Sequence, residues 1–213
     1  MGRKKHRGVL RALDARTRQT RELRYGLPRS FGVVRIPHRD WTRFERGHFL
    51  SSENIDAGVN LLLRIARKPN TRHYTNYAVH GSAPKRNLPH VSTTEDVFVP
   101  LCFDNHWVLI VVRARPDNVT FVVYDSYREL ASTSNNPTFC VLLGTIIQRL
   151  VPISDTRRKT ATIEHAICPQ QPTGSGDCGV FVLYFVESLL KNKWSKEPSS
   201  ALRRRYAACL LYT

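Results

Sequence analysis

Gln170-Gln171-Pro172-Thr173-Gly174-Ser175-Gly176-Asp177-Cys178-Gly179-Val180-Phe181, followed by an apolar run to Leu190, is the stretch that decides the fold. A polar, glycine-rich turn gives way abruptly to a buried helix, and the first residue of that helix is a cysteine. A helix start carries about half a positive charge from its peptide dipoles, which favours the thiolate form that attacks carbonyl carbon. The glycines at 174, 176 and 179 let backbone approach a reacting group closely. Gln171 can donate an amide hydrogen bond to a developing oxyanion, with the Cys178 N–H as second donor.

A thiolate of this kind needs a base and a group to orient it, and both lie upstream. His106 and Trp107 open one apolar run, and Asp125 closes the next. Val97–Leu101, Trp107–Arg113 and Val119–Tyr124 read as strands, rich in Val, Ile and Phe. Arg115-Pro116-Asp117-Asn118 should turn the last two into a hairpin. If 115 and 118 flank that turn, 108 faces 125 and 106 faces 127. His106 and Asp125 are then diagonal neighbours on one face, about 7–8 Å apart and within reach of each other. The carboxylate would fix the ring tautomer and stabilise the imidazolium. Cysteine, histidine, carboxylate and amide together imply thiol-dependent hydrolysis.

The near-continuous apolar strands predict a sheet covered on both faces. A helix capped by Ser51 or Ser52 carries Ile55, Val59, Leu62, Leu63 and Ala66 at helical spacing and stops by Pro69. A second, capped by Asn136 with Pro137 at its first position, buries Phe139, Leu142, Leu143, Ile146, Ile147 and Leu150. Residues 69–94 show no period and read as a long loop. Residues 160–167 should form another strand, and a last helix should run from about Pro198 to Leu211. Strands and helices are segregated along the chain, which favours an α+β fold.

The 213 residues suit one domain, with 41% hydrophobic and 23% charged content typical of globular proteins. No apolar run approaches a membrane span, and no secretory signal is expected, because residues 1–7 hold no apolar stretch. Five cysteines, odd in number and unevenly spaced, do not resemble a disulfide framework, so nucleus or cytoplasm is the expected location. Half of the +16 net charge falls in residues 1–30, which hold ten Lys or Arg against Asp14 and Glu22. Residues 1–37 thus read as a basic extension and 38–213 as the catalytic domain. The extension could attract nucleic acid, an acidic protein or an anionic surface, or serve as a nuclear address through Arg3-Lys4-Lys5. Cys102 with His106, and His165 with Cys168, are short ligand-like pairs, but neither has zinc-site spacing and no metal or cofactor is expected. Cys140 and Cys209 fall on apolar helix faces and are expected in the core.

These residues resemble the sentrin/SUMO-specific protease family, whose relatives include the adenovirus protease. The resemblance spans about residues 40–212. It rests on Trp41 to Leu50 leading into Ile55-Asp56-Ala57-Gly58-Val59-Asn60, on Val97 to Leu101, Asn105-His106-Trp107 and Tyr124-Asp125-Ser126, and on Pro169-Gln170-Gln171 and Asp177 to Phe181. It implies a papain-like fold and a monomer that cleaves after the Gly-Gly terminus of a ubiquitin-like modifier, in a precursor or a lysine conjugate. It assigns Cys178 as nucleophile, His106 as general base and then acid, Asp125 as its orienter and Gln171 as oxyanion donor. Trp107 would roof a tunnel admitting only glycines, with Phe49 as a wall and Gly176 and Gln170 beside it.

Two departures stand out. The Gln171-to-Cys178 spacing is one residue longer than in cellular SUMO proteases and matches the adenovirus type, with Gln170 as the alternative donor. Phe49-Leu50-Ser51-Ser52 stands where the family has Trp-Leu-Asn-Asp, so an acidic contact is missing and modifier specificity is open. Other readings are a virus-like maturation protease stimulated by nucleic acid, a deubiquitinase, an acetyltransferase of the same fold, and a decayed binding module.

Overall fold

The computed structural model describes residues 43–44, 48–80, 90–127, 133–152 and 154–211. The basic extension, residues 1–37, lies outside them, as does the side chain of Cys209. In chain order the elements are α1 (Ser52–Ala66), β1 (Thr71–His73), α2 (Asn76–Val79), β2 (Asp96–Phe103), β3 (His106–Ala114), β4 (Val119–Tyr124), α3 (Pro137–Leu150), β5 (Thr162–His165), α4 (Cys178–Lys191) and α5 (Ser199–Leu211). Among the described residues no helix is long and apolar enough to cross a membrane.

The five strands form one mixed sheet in the order β1-β2-β3-β4-β5, antiparallel in the middle and parallel at both edges. Alternation along the central strands divides their side chains between two cores. Trp107, Leu109, Val111, Val122 and Tyr124 face Ile55, Val59, Val182, Phe185 and Leu202 of α1, α4 and α5. Val97, Val99, Val108, Ile110, Val112, Phe121 and Val123 face Ala78 of α2 and Phe139, Leu143, Ile146 and Leu150 of α3. The sheet is covered on both faces, and the fold is α+β.

Helix α1 starts as expected. Ser51 Oγ accepts from Asn54 N–H, and Asn54 Oδ1 accepts from Ser51 N–H, a reciprocal cap. It ends before Pro69, because Arg67 turns left-handed (φ 48°). Gly58 lets α1 lie against α4, since a Cβ there would meet Leu183 Cδ2 at 2.6 Å. Asn136 caps α3 by accepting from Phe139 N–H at 2.9 Å, and its amide donates to Asp104 in the β2–β3 turn.

Three expectations are corrected. Residues 69–94 are not all loop, because β1 pairs with β2 and Thr75 caps the single turn α2, both too short to show a period. The strand expected over 160–167 narrows to β5, preceded by a 3₁₀ turn at Thr156–Thr160, and all four of its residues are exposed. Cys140 is exposed, since it falls beside the buried stripe of α3.

Candidate active site

The β3–β4 register pairs Leu109 with Tyr124 and Ile110 with Val123, and Arg115 N–H donates to Asn118 O across the turn. This is the pairing read from the turn residues, and it sets His106 diagonal to Asp125 at one end of the sheet. A second turn fixes His106 from the other side. Asp104 and Asn105 both have positive φ (47° and 60°), the conformation of a two-residue hairpin, and His106 is the first residue after it.

His106 Nε2 lies 2.8 Å from Asp125 Oδ1, and the backbone N–H of Tyr127 donates to the same oxygen at 2.9 Å. Phe103 meets the imidazole edge-on at a centroid distance of 5.7 Å, so the ring is held on its apolar side too. The Cys178 thiol is near enough to act on the charge of the ring. With Nε2 committed to Asp125, Nδ1 is the nitrogen left for the thiol. Burial opposes charge on His106, but the bonds to Asp125 and Cys178 and the nearby negative charge outweigh it, raising the imidazole to about 9. The ring therefore holds its second proton at neutral pH.

Cys178 is the first residue of α4 and is buried, with Val180, Phe181 and Val182 rooting the helix in the core. Gly179 serves packing rather than substrate approach: a Cβ there would come within 3.0 Å of Leu50 Cβ and 3.1 Å of Ile55 Cδ1. Gly174 adopts φ +73° in open space, where the turn itself demands glycine.

Gln171 is buried. Its Oε1 accepts from Ser126 Oγ at 2.9 Å, its Nε2 donates to Ser175 O at 2.9 Å, and its own N–H donates to Ser126 O. The Ser126 hydroxyl thus fixes which end of the amide faces the loop before Cys178, leaving one Nε2 hydrogen uncommitted by these bonds. Ser126 is a residue of this site to which sequence reading gave no role. Its only signal is adjacency to Asp125. Gln170 is exposed, and its Nε2 donates to Asp125 O and Cys168 O, both at 3.0 Å.

Trp107 is buried, its indole N–H donating to Leu50 O at 3.0 Å. That bond brings the segment before α1 against β3. Phe49, one residue earlier, is 53% exposed, and its carbonyl accepts from Arg43. The Gly176 carbonyl is bound by Arg203 at 2.7 Å. Among the described residues no group of three potential ligands is placed to hold a metal.

The architecture is shared with solved structures. SUMO protease Ulp1, with its catalytic cysteine oxidised to a sulfenic acid, superposes with a TM-score of 0.68 at 19% identity, over 99% of this chain and 95% of that one. The C-terminal Ulp1 protease domain in complex with Smt3, the yeast orthologue of SUMO, gives 0.67 at 19% identity over 99% and 95%. The catalytic domain of the Chaetomium thermophilum Ulp1-like SUMO protease gives 0.61 at 16% identity over 99% and 90%. No curated protein matches the chain by sequence. The model of the Ulp1 protease family, C-terminal catalytic domain, matches residues 65–209, which include His106, Asp125, Gln171 and Cys178. The chain belongs to the Ulp1 protease family.

Proposed function

We propose that the chain is a cysteine protease that cleaves after the Gly-Gly terminus of a ubiquitin-like modifier, with SUMO the first choice. The observation that carries this reading is the 2.8 Å contact between His106 Nε2 and Asp125 Oδ1 beside a cysteine at the N-terminus of a buried helix. The Cys178 thiolate attacks the glycyl carbonyl carbon, and the oxyanion accepts from the Cys178 N–H and the second Nε2 hydrogen of Gln171. His106, already protonated, gives its proton to the departing amine, whether that amine is a peptide nitrogen or a lysine side chain. Asp125 keeps the ring oriented throughout. His106 then takes a proton from water as it attacks the thioester, releasing the modifier carboxylate and regenerating the thiolate.

Trp107 and Phe49 flank the approach to Cys178 in this reading, an indole fixed through Leu50 and an exposed phenyl ring leaving width for residues without a Cβ. The partner is accordingly the modifier with its conjugates, and precursor processing and deconjugation use the same steps. Electrophilic Gly-Gly probes built on SUMO, ubiquitin and other ubiquitin-like modifiers test it. The expected result is an adduct with SUMO that disappears in Cys178→Ala. Absence of any modifier adduct, while a small alkylator still labels Cys178, would overturn the substrate assignment and leave the thiol chemistry standing.

A further inference from the structure

Asp177, immediately before Cys178, is the N-cap of α4, a position where aspartate ordinarily accepts from the second or third helical N–H. Here it does not. Its φ and ψ are −96° and 1°, and its side chain makes no capping bond. The carboxylate accepts instead from Arg203 Nε, on α5. Arg203 is only 5% exposed, and three of its four other N–H groups donate to carbonyls: Gly176 at 2.7 Å, His48 at 2.9 Å and Arg43 at 3.1 Å. One guanidinium thus ties the loop entering the nucleophile to the segment that leads to Phe49.

The direction in which Asp177 points matters to the thiol beside it. The first N–H groups of a helix have no intrahelical acceptor, and their partial positive charge is about half a unit. A capping carboxylate would occupy those donors and set a full negative charge beside the sulfur, opposing the thiolate. We propose that Arg203 is a positioning residue that holds Asp177 off the start of α4, keeping the helix field and its free N–H groups for the Cys178 thiolate and the oxyanion. The inference rests on the reading of Cys178 as nucleophile. The neutralising partner comes from twenty-six residues downstream, on another helix.

The test compares wild type, Arg203→Met, Arg203→Lys and the double variant Arg203→Met/Asp177→Ala, which removes the charge and the capping group together. For each, the rate of Cys178 alkylation by iodoacetamide at pH 7 is measured with kcat, KM and thermal unfolding. An unscreened carboxylate beside the thiol should slow alkylation and kcat in Arg203→Met by about tenfold, with KM changing less. In the double variant, alkylation should return to within about threefold of wild type, since no charge remains to be held away. Arg203→Lys keeps the positive charge and should also alkylate within about threefold of wild type. The proposal is overturned if Arg203→Met alkylates like wild type, or if the folded double variant stays as slow as Arg203→Met. A lysine variant as slow as the methionine one would equally overturn it. If Cys178→Ala still hydrolyses substrate, it is the nucleophile assignment that fails, and the alkylation series remains interpretable by itself.

Discussion

Helix α5 grips α4 through two arginine–carboxylate contacts, Arg203 with Asp177 and Arg205 with Glu187. The arginines are two residues apart, but their partners sit at opposite ends of α4. At the far end, Glu187 accepts from Arg205, Lys191 and Tyr206. Burial alone would raise its carboxyl, yet these donors outweigh burial and hold it below its usual range. Burial and the Glu187 charge push Tyr206 far above the ordinary phenol range. That cluster closes on itself and holds the helix pair together. At the near end the same chemistry leaves α4 without a side-chain cap, at the residue before Cys178. The two contacts share a chemistry, but only the one at Asp177 bears on how the start of α4 is capped.

Cys178→Ala should remove hydrolysis by about 10⁴-fold or more with folding intact, measured as turnover of a modifier–Gly-Gly amide. A protein that still turned over would detach the near end of α4 from chemistry altogether. Gln171→Ala should lower kcat by about 10²–10³ and leave KM nearly unchanged, since the lost donor acts on the oxyanion. A selective rise in KM would instead make Gln171 a binding residue. Arg205→Met sharpens the contrast between the two contacts. It should cost about 1–3 kcal/mol in urea unfolding, because a buried carboxylate loses a charged donor, while kcat stays within about twofold. A large loss of kcat there would erase the distinction between the two ends.

The smallest effect concerns acid. Because the folded Glu187 carboxyl is depressed below its unfolded value near 4.5, its contribution is full above that pH and fades as pH falls through the lower folded value. Glu187→Gln should therefore flatten the acid side of the stability profile in denaturant melts taken below about pH 4.5. An unchanged acid limb would assign the loss to other carboxylates.

The near end of α4 was legible in the sequence and its restraint was not. Arg115 to Asn118 set the β3–β4 register, because a hairpin turn dictates every pair behind it, and that placed His106 beside Asp125. The caps at Ser51 and Asn136 were readable because capping is local. Arg203, by contrast, sits in Arg203-Arg204-Arg205, where nothing in the run itself marks one arginine as buried. Its acceptors lie as far as 160 residues away along the chain, and no local pattern reports them. Ser126 was hidden for the same reason, since its hydroxyl matters only through Gln171, forty-five residues on. Strand β1 is a short edge strand whose formation depends on the sheet it joins, whereas the other edge, β5, was expected from its residues and is only shorter than expected.

The dependence of kcat/KM on pH, in wild type and in Asp125→Ala, tests the centre of the account most directly. With His106 raised to about 9, the folded state holds the proton that an unfolded chain releases near 6.5. The ion pair therefore stabilises the fold fully below 6.5, and its contribution is lost as pH rises through about 9. Activity should fall on the same alkaline limb, as the imidazolium loses the proton that the leaving amine needs. Asp125→Ala should lower kcat/KM by about 10²–10⁴ and move that limb at least about one unit towards neutrality. An alkaline limb that stays at the same pH in both proteins would contradict the account, because the carboxylate would then not be what holds the proton on His106.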